Sequence, residues 1–175
     1  FNGKEYEVDC IIFATGFEVG TEYSRRAGYQ IHGVDGKTVT QKWQNGLATF
    51  HGMHSRGFPN AFFFGPAQSG FTATYTYSLD EQSIHLAYIL EKIIDKGATR
   101  VEASQEAEEQ WIQTIIEKAR LTADFQENCT PGYYNNEGKI NQTPQNNTYG
   151  GGPIEFFSLM KKWRSKDSLE GLEIN

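Results

Sequence analysis

The chain has 175 residues, with 16 Lys and Arg against 22 Asp and Glu and a formal net charge of −6, a length that suits one domain with a sizeable core or a piece of something larger. This acidic balance, with no basic block interleaved with aromatics, excludes a phosphate-tracking surface and nucleic acid as a partner. No apolar run approaches the roughly 20 residues of a membrane helix and nothing at the start reads as a signal peptide, so no membrane partner and a soluble, cytoplasmic protein are expected.

Cys10 and Cys129 stand too far apart for a metal-ligand spacing or a disulfide framework and are read as free thiols. The sequons at Asn128, Asn141 and Asn146 would matter only in a secreted protein, for which the cysteine usage gives no support. Twelve Phe, nine Tyr and three Trp suit a large core or a site that stacks flat ligands.

In chain order, residues 10–13 form a continuous apolar run that ends in Ala14-Thr15-Gly16-Phe17. That pattern predicts a strand feeding a tight glycine turn, as in the central strand of a dinucleotide-type α/β sheet. Asp35-Gly36 and Asn45-Gly46 predict hairpin turns, with strands over residues 38–43 and 47–53. Residues 30–64 would then form an antiparallel meander. It closes on Phe62, Phe63 and Phe64, which predict a short strand buried on both faces. Gly65 and Gly70 bound the turn that follows, where main-chain N–H groups could approach a planar or anionic ligand.

Ser78-Leu79-Asp80-Glu81 reads as a capping box that starts a helix. Its buried stripe is expected to be Ile84, Ala87, Tyr88, Leu90, Ile93 and Ile94, with Gly97 as a left-handed stop. A second helix begins at Ser104 and runs through Trp111, Ile112, Ile115, Ile116 and Ala119, with Glu106, Glu108 and Glu109 as a solvated acidic first turn. Residues 125–153 lose all periodicity, and the stretch 129–139 is too aromatic for a linker, so a functional or disordered loop is expected. Gly150-Gly151-Gly152-Pro153 opens a third helix that buries Phe156, Phe157, Met160 and Trp163; a short apolar tail follows. The fold class is α/β in the broad sense, α+β within this chain.

Candidate chemistry is sparse. His51 and His54 stand three apart with no third ligand, which argues against a metal; His32 and His85 read as isolated, satisfied or solvated residues. Ser69 lies in no nucleophile elbow. Asp80-Glu81 is better explained as capping than as an acid/base pair, and Lys161, Lys162 and Arg164 as an exposed helix face. No catalytic residue is assigned and no Gly-x-Gly-x-x-Gly occurs, so a phosphate-binding fingerprint would lie elsewhere.

Phe13-Ala14-Thr15-Gly16-Phe17, then Gly57-Phe58-Pro59-Asn60 with Phe62-Phe63-Phe64-Gly65-Pro66, then Gly150-Gly151-Gly152-Pro153 before a closing helix together resemble the C-terminal part of class B flavoprotein monooxygenases. The Baeyer-Villiger monooxygenases are most similar. The 129–139 stretch favours them over flavin-containing monooxygenases, which share the Ala-Thr-Gly motif and oxidise nitrogen or sulfur. The resemblance implies a flavoprotein with two dinucleotide-binding domains, one for FAD and one for NADPH, that converts a ketone and dioxygen to an ester or lactone. The partners of this chain would be the remainder of the same enzyme, the ketone and O2, and the fragment alone is expected to be inactive.

By the same resemblance, residues 1–17 end the NADP domain and return to the FAD domain, which residues 18–175 complete with a mobile loop over 125–153. Thr15 and Gly16 match the junction motif, and Gly65, Pro66, Gln68 and Ser69 the turn that approaches the flavin. Gly70, Phe71, Thr72 and Thr76 fall where relatives line the substrate pocket, and Asn135, Gly138 and Lys139 on the segment that folds over NADP. Several relatives have a Trp near the position of Thr130; this chain has none there, which leaves Tyr133 or Tyr134 to meet the nicotinamide. A binding module derived from such an enzyme is the non-catalytic alternative.

Overall fold

The computed structural model describes residues 2–14, 23–119, 130–131 and 143–175. The expectations for Thr15, Gly16, Cys129, Tyr133, Tyr134, Asn135, Gly138 and Lys139, and for the sequons at Asn128 and Asn141, lie outside them.

Helix α1 (Tyr23–Ala27) and helix α2 (Val39–Lys42) are short. Between them Asp35 (φ 59°) and Gly36 (φ 73°) adopt left-handed backbone, the paired geometry of a tight hairpin turn. Asp35-Gly36 therefore turns the chain as expected and brings His32 to Thr38 in an isolated bridge. The strand expected over residues 38–43 is instead α2. The Thr38 hydroxyl accepts from the Gln41 N–H at 3.1 Å and Gln41 Oε1 accepts from the Thr38 N–H at 2.9 Å, a reciprocal cap that satisfies the backbone locally.

Residues 47–53 likewise form no strand. His51 (φ 57°) and Gly52 (φ 71°) reverse the chain, so Phe50 and His54 exchange backbone hydrogen bonds of 2.7 and 3.1 Å. The meander thus reduces to two isolated bridges. Residues 61–64 run extended without a ladder, the Phe63 N–H donating to the Met53 carbonyl at 2.9 Å. Phe62 packs against the main core and Phe63 lies in the smaller cluster, while Phe64 is 39% exposed, so the burial expected on both faces stops short of Phe64. Residues 10–14 have no ladder partner among the described residues, and Ile12 and Phe13 are each 84% exposed.

Helix α3 (Tyr75–Asp95) starts three residues before the expected capping box and ends on Gly97 (φ 65°), the left-handed stop foreseen. Its buried residues are Ser78, Gln82, His85, Ile89 and Ile93, while Ile84, Leu90 and Ile94 are exposed. The expected stripe faces outward, apart from Ile93 and the half-buried Tyr88. Helix α4 (Gln105–Lys118) is capped by Ser104, whose hydroxyl accepts from the Ala107 N–H at 3.1 Å. Helix α5 (Pro153–Ser165) buries Phe156, Phe157, Met160 and Trp163, the set read from the sequence. Strand β1 (Val101–Ala103) pairs antiparallel with β2 (Leu172–Ile174), Val101 opposite Ile174 and Ala103 opposite Leu172. The apolar tail is therefore an integral strand.

The main core joins Phe50, Ile89, Trp111, Ile115, Tyr149, Phe156, Met160 and Trp163, and a smaller cluster gathers Val39, Phe58 and Phe63 under Tyr23 and Trp43. Glu108, expected in solvent, is buried in the first turns of α4. It accepts from Lys42 Nζ at 2.6 Å and from the Arg56 N–H at 2.7 Å, partners that satisfy a buried carboxylate. The mixture of helices with a small antiparallel sheet agrees with the α+β class. No helix among the described residues is long and apolar enough to cross a membrane.

Candidate functional site

The turn at residues 65–70 is built from the inside. Gln68 has left-handed backbone (φ 53°) and a fully buried side chain. Its Oε1 accepts from the Thr49 N–H at 3.1 Å and from the Thr49 hydroxyl, and its Nε2 donates to the Leu47 and Gln145 carbonyls, both at 2.8 Å. The Ser69 hydroxyl donates back to the Gly65 carbonyl at 2.6 Å. From α3, Gln82 Oε1 accepts from the Gly65 N–H at 3.3 Å, while its Nε2 donates to the Gly65 carbonyl at 2.8 Å and to Ser69 Oγ at 2.9 Å. Farther along, the Ser78 hydroxyl accepts from the Thr72 N–H at 3.3 Å.

The other side of the turn is open. A Cβ added at Gly65 would meet nothing within 4 Å, whereas one at Gly70 would strike the Phe156 ring at 2.8 Å. Gly70 is thus required by packing, and Gly65 leaves room for a close approach. The Ala67 N–H has no acceptor among the described residues. Phe64, Phe71, Tyr75 and Tyr77 stand exposed around the turn, the rings of Phe71 and Tyr75 5.9 Å apart.

Behind the turn lies a buried histidine cluster. The His51 ring stacks on Phe50 at 3.7 Å and meets His85, Trp111 and Trp163 edge-on at 5.4, 5.0 and 5.5 Å. Burial lowers the pKa of all three histidines, His54 to about 4 and His85 to about 3, with His51 well below its usual value. They are neutral at pH 7. A guanidinium can only donate, so the Arg164 Nη1 contact at 3.4 Å makes His85 Nδ1 the acceptor and leaves the proton on Nε2. His51 Nδ1, His54 Nε2 and His85 Nε2 have no hydrogen-bond partner among the described residues, and the cleft between His51, Gln82, His85 and Phe156 is too tight to admit a water molecule. The isolation expected of His85 and the fully exposed face expected at Arg164 are both corrected by this contact. Among the described residues no group of three His, Cys, Asp or Glu side chains could hold a metal ion.

No family model matches the chain. Neopentalenolactone D synthase of Streptomyces avermitilis is 46% identical over 175 residues, covering 98% of this chain and 30% of that protein. A Baeyer-Villiger monooxygenase of Stachybotrys chlorohalonatus is 40% identical over 175 residues, covering 99% of this chain and 28% of that protein. The solved polycyclic ketone monooxygenase of Thermothelomyces thermophila shares the fold with a TM-score of 0.79 at 33% identity, covering 87% of this chain and 25% of that one. This chain is related to the C-terminal part of Baeyer-Villiger monooxygenases. It spans about 30% of the length of the curated relatives it matches.

Of the residues that the family resemblance singled out, the structure brings Gly65, Pro66, Gln68, Ser69, Gly70, Phe71 and Thr72 into one turn, with Thr76 exposed in the first turn of α3. The Gln68 and Ser69 side chains are occupied inside the protein, so they set the path of the backbone. Thr15, Gly16, Asn135 and Lys139 lie outside the described residues. Gln82 escaped sequence reasoning, which gives Ser78 only a capping role and treats His85 as isolated. The signal that would have found them is a polar stripe at helical spacing, legible once α3 is started at Tyr75 rather than after Ser78.

Proposed function

We propose that this chain completes the FAD-binding domain of an FAD- and NADPH-dependent monooxygenase that converts a ketone and dioxygen to an ester or lactone. Residues 1–17 return the chain from the NADP domain and residues 18–175 close the FAD domain. The observation that carries this reading is the Gly65–Gly70 turn, clamped from within by Gln68, Ser69 and Gln82 and open on its outer side at Gly65. Its Ala67 N–H, without an acceptor among the described residues, and the room at Gly65 fit the edge of a flat polar ring. An FAD-binding monooxygenase is among the relatives of this chain, and solved proteins that share its fold hold NADP or FAD.

FAD would supply the oxygen chemistry when bound, and this chain's part is positioning and shielding. The backbone of Gly65, Pro66 and Ala67 would meet the ring. Gly70, Phe71, Thr72 and Thr76 would form one wall of the ketone pocket, where the exposed Phe71 and Tyr75 rings exclude water from an apolar substrate. Thr15 and Gly16 are assigned to the domain junction, and Asn135 and Lys139 to the NADP-facing segment. The working compartment is the cytoplasm.

The test uses the full-length protein, purified and examined for flavin absorbance, then supplied with NADPH and either a cyclic ketone or a sulfide. Lactone from the ketone supports the reading. Sulfoxide as the sole product assigns the protein to heteroatom oxidation, and absence of bound flavin after FAD addition leaves a non-catalytic module.

A further inference from the structure

We infer that Gln82 is the positioning residue of the flavin-facing turn, an inference that rests on the proposed function. The carboxamide of Gln82 has one acceptor oxygen and two donor hydrogens, and all are engaged by the turn. The oxygen takes the Gly65 N–H, and the nitrogen reaches the Gly65 carbonyl and Ser69 Oγ. One side chain thus holds both backbone groups of the first turn residue and, four residues on, the hydroxyl that itself donates to that same Gly65 carbonyl at 2.6 Å.

Three further observations make this a positioning device rather than incidental packing. Gln82 is 4% exposed and sits between Ser78 and His85 on the buried face of α3, so the helix carries the clamp rigidly. The cleft it lines with His51, His85 and Phe156 is too tight to admit a water molecule, so solvent does not reach the carboxamide from that side. The clamp also grips from behind: the outer side of Gly65 stays open. Ser78, one turn earlier on the same face, holds the Thr72 N–H at 3.3 Å. Loss of the carboxamide would therefore leave the Gly65 carbonyl only its bond from the Ser69 hydroxyl among the described residues and let the flavin-facing amides drift, while the sequence of the turn itself stays intact.

The experiment compares the full-length holoenzyme with its Gln82→Met variant, which keeps length and apolar volume but removes the acceptor and both donors. Ile89→Val, which trims the same buried face away from the turn, serves as the stability control. The expected result is FAD affinity reduced about ten-fold in Gln82→Met. A shifted visible flavin band and faster amide exchange over residues 64–70 in the apoprotein should accompany it, with Ile89→Val near wild type in all three. If Gln82→Met does not fold, Gln82→Glu is read in the same way. It keeps an oxygen for the Gly65 N–H and loses the donors to the Gly65 carbonyl and Ser69. Wild-type FAD affinity, spectrum and exchange in the variant that folds would overturn the inference while leaving the proposed function standing. A wild-type protein that binds no FAD would overturn both.

Discussion

Helices α3 and α5 pack against one another and read alike in sequence, yet they bury opposite kinds of face. α5 turns Phe156, Phe157, Met160 and Trp163 inward. α3 turns Ser78, Gln82 and His85 inward alongside Ile89 and Ile93, and leaves Ile84, Leu90 and Ile94 on the surface. The difference follows from what each helix faces. α5 faces the aromatic core, where only apolar area is gained. α3 faces a turn whose backbone groups need partners, and an unpaired polar group costs about 1–3 kcal/mol, as much as burial of one Ile or Leu side chain returns at about 1.5–3 kcal/mol. An apolar stripe therefore fails to decide orientation when backbone stands opposite.

The strongest test of that contrast is pH, because the seam between the two helices holds neutral histidines. Below the ordinary histidine pKa of 6.5 the unfolded chain takes up protons that the folded chain refuses until about pH 4 at His54 and about pH 3 at His85. Stability is therefore full above pH 6.5 and falls on acidification through that window, by about 1.4 kcal/mol per pH unit for each histidine. Urea midpoints at pH 7, 6 and 5 should decline in step, and His85→Leu should flatten the decline. A profile unchanged between pH 7 and 5 would show the histidines are solvated.

Next in size is Trp163→Ala in α5. Trp163 is buried against His51, His85 and Tyr88, and its indole N–H donates to the Glu170 carbonyl at 2.9 Å. The loss should be about 4 kcal/mol by denaturant unfolding. On the inward face of α3, Gln82→Met should cost about 2 kcal/mol because polar groups of the turn are left without partners. If it stabilised the chain instead, apolar burial would outweigh the turn and the contrast would fail. On the outward face, Ile94→Lys should change stability of this chain by less than about 0.5 kcal/mol. The same substitution in the full-length protein gives a sharper reading: a larger cost there would mean that the exposed stripe is covered by the rest of the protein.

Much of the candidate site was legible because its motifs are contiguous: residues 62–70 stand together in sequence and in space. The braces were not. Gln82 reaches the turn from α3, Gln145 reaches Leu47 and Gln68 across most of the chain, and Glu108 finds Lys42 and Arg56 from another helix. Such partners lie beyond any window in which periodicity operates. The two strands among the described residues are three residues each, too short to alternate visibly, and pair only because the chain brings residues 172–174 back beside β1. The opposite lesson comes from residues 38–43, where Thr38 and Gln41 carried a capping signal that the expectation of a hairpin overrode.

By itself the sequence determined the Asp35-Gly36 turn, the Ser104 cap, the Gly97 stop, the apolar face of α5 and the ordered motifs that relate this chain to Baeyer-Villiger monooxygenases. These are short-range effects, set by a residue's own φ preference, hydroxyl or neighbours within a turn. Only the tertiary structure decided which face of α3 lies inside, that His51 meets His85, that Glu108 is buried and that β1 joins β2. Each of these depends on what stands opposite in space, where a hydrogen bond to distant backbone and the burial of an apolar side chain are close enough in free energy for position to choose between them.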